Sequence, residues 1–189
     1  MNRIGVWGDS ITWGASDLEM GGWVARLRHF IDTNYELEPG VYNLGVSGDK
    51  VSDVLKRFDV EYEARKPDTV ILAIGINDSP HDTHKGTPLA TFEQQFTELV
   101  QKVKTKSDKL FVVGPTNVDE EHSDSHGYND KTIKPYEEII REVTKQQELP
   151  YIDLSGLISK DDLKMDGLHP EAEGHEKIFQ KVKKALGYN

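Results

Sequence analysis

Val70-Ile71-Leu72-Ala73-Ile74 is an unbroken apolar run that stops at Gly75-Ile76-Asn77-Asp78. A strand with one wet face alternates apolar and polar side chains. This one does not alternate, which is the pattern of a parallel-sheet strand covered on both faces. The residues that follow fit a covering helix: Phe92, Phe96, Leu99, Val100 and Val103 recur at helical spacing.

The same pairing repeats in both directions. Upstream, Ile4-Gly5-Val6-Trp7 precedes a helical stretch around residues 22–32 that carries Trp23, Val24, Leu27, Phe30 and Ile31. The run 41–46, marked by Val41, Leu44 and Val46, precedes Val51, Val54, Leu55 and Phe58. Downstream, Leu110-Phe111-Val112-Val113 precedes Ile133, Tyr136, Ile139, Ile140 and Val143. Tyr151-Ile152-Asp153-Leu154 then leads to a last helix beginning near Pro170, with Ile178, Phe179, Val182 and Leu186. Five strand–helix repeats predict an α/β fold with a parallel sheet and helices on both faces. No linker, repeat or low-complexity tract divides the chain, so one domain is expected over residues 1–189. Right-handed crossovers place every post-strand loop at one sheet edge, where ligands of such sheets bind. Ser10, Gly48 and Asn77 all fall in post-strand loops.

Composition narrows the function. With 33 acidic against 23 basic residues the net charge is −10, which repels phosphate backbones and argues against a nucleic-acid partner. No apolar run is long enough to insert in a membrane. The N-terminus enters a strand-like segment without a signal-peptide pattern, from which a cytoplasmic location is expected. There are no cysteines, so thiolate chemistry and disulfides are excluded. No Walker A run occurs and no G-x-G-x-x-G follows the first strand, so no nucleotide cofactor is expected.

Gly8-Asp9-Ser10-Ile11 follows the first apolar run, and Asp166-Gly167-Leu168-His169-Pro170 precedes the last helix. Each fragment alone has an ordinary structural explanation. Asp-Ser is a frequent N-cap, Asp-Gly a turn, and His-Pro a helix entry. Together they supply a serine, a base to take its proton and a carboxylate to orient that base. Asn43-Leu44-Gly45-Val46-Ser47-Gly48-Asp49 and Gly75-Ile76-Asn77-Asp78 complete a set of four segments. Taken singly, these too have plain readings, as a turn before a helix and as an Asx turn.

In this order the four segments resemble the blocks of the GDSL-type esterases, or SGNH hydrolases. The resemblance runs from residue 8 to residue 170, with Ile11 where the family often has leucine. It implies a flavodoxin-like α/β/α sandwich of three layers with a five-stranded parallel sheet. It also implies roles: Ser10 as nucleophile, His169 as base and Asp166 as its orienting carboxylate. The oxyanion hole would be formed by the backbone N–H groups of Ser10 and Gly48 and the side-chain amide of Asn77. The implied activity is hydrolysis of small acyl esters through an acyl-enzyme, with no metal. Physical chemistry agrees, because acyl transfer needs preorganised donors at the developing oxyanion. Asp9 and Asp78 are read as local structural partners.

The connections 75–90 and 115–131 are long for such a domain. They hold His81, His84, His122 and His126, which could bind a metal if they converged; a polar substrate rim is the preferred reading. Trp13 and Tyr128 are candidates for apolar contact with an acyl or aryl group, or for covering the core. The alternative function is a non-catalytic sugar- or small-molecule-binding module on the same sheet.

Overall fold

A computed structural model describes residues 3–35, 40–81, 84–122 and 127–188. Its strands are β1 (Ile4–Gly8), β2 (Val41–Gly45), β3 (Thr69–Ala73), β4 (Lys109–Val113) and β5 (Tyr151–Ile152). All pairings are parallel, in the order β2-β1-β3-β4-β5. The apolar run that suggested the fold is therefore the middle strand. Val70, Ile71 and Leu72 are fully buried in it, each contributing about 1.5–3 kcal/mol of transfer free energy.

Among the described residues, six α-helices, α1 (Ser10–Trp13), α2 (Trp23–Asn34), α3 (Val51–Arg65), α4 (Leu89–Lys104), α5 (Asp130–Gln146) and α6 (Ala172–Ala185), connect and cover the strands. Alternate strand residues feed two separate cores. Ile4, Val6, Ile71, Val113 and Ile152 pack with Trp23, Leu27 and Ile31 of α2 and Ile178 and Val182 of α6. Trp7, Val70, Leu72, Leu110 and Val112 pack with Phe58 of α3, Phe96 and Leu99 of α4 and Ile140 of α5. The period of two along each strand thus divides the helices between the two faces.

From β1 the chain moves outward to β2, then returns to place β3 on the other side of β1. That reversal opens a crevice at the carboxyl ends of β1 and β3. Ser10 follows the first of these strands and Asn77 the third in sequence, so they flank the switch point.

Several boundaries differ from the sequence reading. β5 is two residues long instead of four: Asp153 leaves the ladder, accepts the Ser155 N–H at 2.9 Å and pairs with Arg141. β2 ends at Gly45, although the Val46 N–H still bonds the Gly8 carbonyl at 3.0 Å. α6 starts two residues after Pro170, because the Glu171 N–H is drawn to the Asp162 carbonyl.

Candidate active site

Ser10 is placed by the end of β1. Asp9 caps α1 in extended backbone, its Oδ1 accepting the Ile11 N–H at 3.0 Å. The ordinary capping role and the placement of Ser10 at the cleft therefore coexist in one turn. The turn also needs Gly45. A Cβ there would lie 2.3 Å from the Trp13 nitrogen and 2.9 Å from the Asp9 carbonyl oxygen, so α1 rests directly on the end of β2.

The loop before α6 brings its histidine to this serine. His169 Nδ1 is 2.6 Å from Asp166 Oδ2, and His169 Nε2 is 2.8 Å from Ser10 Oγ. An ionised carboxylate can only accept, so Nδ1 carries the proton and Nε2 accepts from the Ser10 hydroxyl. Asp166 Oδ1 accepts the N–H groups of Leu168 and His169 at 2.9 and 2.8 Å. Burial alone would raise the Asp166 pKa. The His169 bond and these two N–H groups overcome it and hold the carboxyl well below the usual range. Two further bonds brace the loop: the Gly167 N–H to the Leu163 carbonyl and the Asp119 N–H to the Gly167 carbonyl, both 2.8 Å.

Gly48 and Asn77 line the same cleft as Ser10 and His169, with a volume of about 260 Å³. Gly48 has φ of +83°, and a Cβ there would meet nothing within 4 Å. Conformation, not space, demands glycine at this point. Asn77 lies in a single 3₁₀ turn, Ile76–Asp78, after β3. Its Nδ2 donates one hydrogen to the Asp49 carbonyl at 3.0 Å, and its Oδ1 accepts the Tyr128 hydroxyl at 2.7 Å. The amide orientation is thereby set, with a second Nδ2 hydrogen left over.

A larger cavity of about 410 Å³ lies at the amino ends of the strands, between Ile4, Thr69, Leu110 and Tyr188. It contains none of the four sequence blocks, and ligands of parallel sheets bind at the other edge.

Residues 6–177 match the GDSL-like lipase/acylhydrolase family. The chain belongs to this family. It is 24% identical over 181 residues to an acetylxylan esterase of Geobacillus stearothermophilus, covering 88% of this chain and 81% of that one. It is 28% identical over 220 residues to an acetylxylan esterase of Xylanibacter ruminicola, covering 97% of this chain but 43% of the relative. The chain thus spans less than half of that second protein. Among solved structures, a catalytic mutant of Axe2, the Geobacillus acetylxylan esterase, matches with a TM-score of 0.82 at 23% identity, covering 100% and 95% of the two chains. LAE5, an alpha/beta hydrolase enzyme from the metagenome of Lake Arreo, Spain, matches with a TM-score of 0.81 at 24% identity over 98% and 95%. The fold is that of the SGNH-type esterases, and the chain is a serine esterase, a carboxylic ester hydrolase.

Around this GDSL-type site, Asp9 and Asp78 both hold backbone. Burial is the main force on the Asp9 carboxyl and pushes it up to about 7, against the Ile11 N–H and the nearby His169. Asp78 accepts the Val51 N–H at 3.0 Å and the Thr87 hydroxyl at 2.6 Å, joining the start of α3 to the loop after β3. Burial raises its pKa as well.

His81 and His84 pair through two backbone hydrogen bonds of 2.9 Å, with ring centroids 5.4 Å apart, and each ring has a further neighbour. His81 lines the cleft and stacks on Tyr128 with ring centroids 4.4 Å apart. The His84 ring meets Lys50, and His122 Nδ1 lies 2.7 Å from Asp119 Oδ2. His126 lies outside the described residues. Among the described residues no group of three or more His, Asp or Glu side chains is placed to hold a metal.

Trp13 is largely exposed, whereas Tyr128 is buried and holds Asn77 by its hydroxyl. Of the two sequence readings for Tyr128, substrate contact or core cover, its burial fits the second, and its hydroxyl adds a role that apolar patterning does not reveal. His175 was not singled out at all. It is fully buried, its Nδ1 accepting the Trp23 N–H at 3.2 Å and its Nε2 donating to the Ala15 carbonyl at 3.0 Å. Because Ala15 lines the cleft, His175 pins the loop after α1 against α6. Nothing in its spacing distinguished it from a surface histidine of α6.

Proposed function

We propose that this esterase removes acetyl groups from O-acetylated sugars through an acetyl-enzyme on Ser10. The observation that carries the reading is the continuous chain from Ser10 Oγ through His169 to Asp166, at 2.8 and 2.6 Å. Ser10 Oγ attacks the acetyl carbonyl and its proton passes to His169 Nε2. Asp166 keeps the ring in the right tautomer and balances the imidazolium charge. The tetrahedral oxyanion faces the N–H groups of Ser10 and Gly48 and the free Asn77 amide hydrogen. Collapse expels the sugar hydroxyl, which takes the proton from His169. Water then repeats the sequence and releases acetate.

Two features favour acetyl over long acyl groups. The cleft is small, at about 260 Å³, and the named relatives are acetylxylan esterases. The acidic surface is consistent with a neutral sugar substrate and not a polyanion.

The test is a series of p-nitrophenyl esters together with acetylated xylo-oligosaccharides. Acetate should be released from the oligosaccharide, and kcat/KM should fall by about tenfold or more from acetyl to octanoyl ester. A preference for the octanoyl ester, with no acetate released from the sugar, would overturn the reading.

A further inference from the structure

Arg57 projects from α3 toward the two loops that carry Ser10 and Gly48. Its Nε donates to Asp49 Oδ2 at 2.7 Å, its Nη1 to Glu61 Oε2 at 2.6 Å and its Nη2 to the Gly8 carbonyl at 3.3 Å. Glu61 is itself fixed by the buried Trp7 indole N–H at 2.8 Å. The Arg57 and Asp49 side chains are mostly buried, at 19% and 12% exposed.

The acceptors stand at informative places. Gly8 is two residues before Ser10. Asp49 follows Gly48, and its carbonyl holds the Asn77 amide at 3.0 Å. The loop is closed by the Asp49 N–H to the Val46 carbonyl at 3.1 Å, and tied to β1 by the Val46 N–H to the Gly8 carbonyl at 3.0 Å. One guanidinium therefore spans the strand end that leads to Ser10 and the residue that joins Gly48 to Asn77.

We propose that Arg57 is a positioning residue for the oxyanion hole, clamping the Gly48 loop to the end of β1. The proposal rests on Gly48 and Asn77 being the oxyanion donors. A planar fork meets three acceptors in fixed directions; a lysine ammonium at the end of a flexible stem does not. Arg57 also offsets a carboxylate close to where negative charge develops. Burial raises the Asp49 pKa, and Arg57 opposes that rise.

The experiment compares Arg57→Met, Arg57→Lys and Arg57→Met/Asp49→Asn with Ser10→Ala and the parent, reading kcat, KM and Tm with p-nitrophenyl acetate. Both single variants should lower kcat on the order of 10–100-fold, the scale of a small misplacement of catalytic groups, with KM within about threefold. The double variant removes the Arg57–Asp49 pair as a unit and leaves only Glu61 without its guanidinium, so Tm should recover part of the loss seen in Arg57→Met while kcat stays low. A purely structural ion pair predicts the opposite. Parent-like kcat in the double variant, or in Arg57→Lys, would overturn the positioning role. Near-parent activity in Ser10→Ala would instead remove the underlying site, so the two failures are distinguishable.

Discussion

Replacing Tyr128 by phenylalanine tests how the Asn77 amide, the proposed oxyanion donor, is oriented. The Tyr128 hydroxyl donates to Asn77 Oδ1 at 2.7 Å, while Asn77 Nδ2 donates to the Asp49 carbonyl at 3.0 Å. Burial, aided by the charges of Asp9 and Asp78, pushes the Tyr128 hydroxyl up to about 12, so it stays a donor through any working pH. Phenylalanine keeps the ring that stacks on His81 at 4.4 Å and removes only this donor. A buried hydrogen bond is worth about 0.5–1.5 kcal/mol net. At about 1.4 kcal/mol per tenfold in rate, kcat should fall roughly 2- to 12-fold. KM should hardly change if the amide takes its proposed role, where charge develops. Asn77→Ala removes the donor itself and should cost about 10²–10³ in kcat. The decisive measurement is the double-mutant cycle on p-nitrophenyl acetate, with Tm recorded for each protein. If Tyr128 acts through Asn77, adding Tyr128→Phe to Asn77→Ala should change kcat less than about twofold. The same multiplicative loss on both backgrounds would refute the reasoning.

Ser10→Ala should lower kcat by on the order of 10⁴-fold or more with Tm preserved, and Asp166→Asn should be severe because it disturbs the His169 tautomer; unaltered turnover in either would contradict the triad. Asp166 is held below its ordinary 3.8, so its carboxyl should stay ionised from about pH 4 to pH 7, and an NMR titration that finds it taking up a proton in that range would refute the assignment. Asp9 is raised from 3.8 to about 7, so the folded state keeps its proton longer than the unfolded chain. That contribution to stability is complete below about pH 3.8 and is lost as pH rises through about 7. Asp9→Asn keeps the Oδ1 acceptor for Ile11; its Tm relative to the parent should therefore rise from pH 4 to pH 8, and a constant difference would refute the assignment. Gly45→Ala should press a methyl group onto the Trp13 nitrogen and the Asp9 carbonyl, lowering kcat and Tm together; parent-like values for both would show that α1 does not need this close approach.

Much of the candidate site was legible because it follows local rules. Ser10, Gly48 and Asn77 each come just after a strand, and topology alone sends such loops to one edge. Asp166 and His169 are three residues apart, close enough for one turn to join them, and the 2.6 Å bond follows from that spacing. The strand ends were less legible. β5 stops at Ile152, and the Asp153 carboxylate accepts the Ser155 N–H in a local turn that an apolar run does not reveal.

The order and period of apolar residues by themselves determined the five-stranded parallel sheet, its two faces and the edge that carries chemistry. Residue types in short motifs determined which side chains were candidates there. Only the tertiary structure decided what supports them. Tyr128 reaches Asn77 across 51 positions, His175 reaches Ala15 across 160, and Arg57 reaches Gly8 across 49. Such partners depend on which helix faces meet which strand ends and on the rotamers that packing leaves open. The hydrophobic pattern says that a helix is buried; it does not say which polar group on its flank will find an acceptor. That choice follows from satisfying buried hydrogen-bonding groups after the layers have come together.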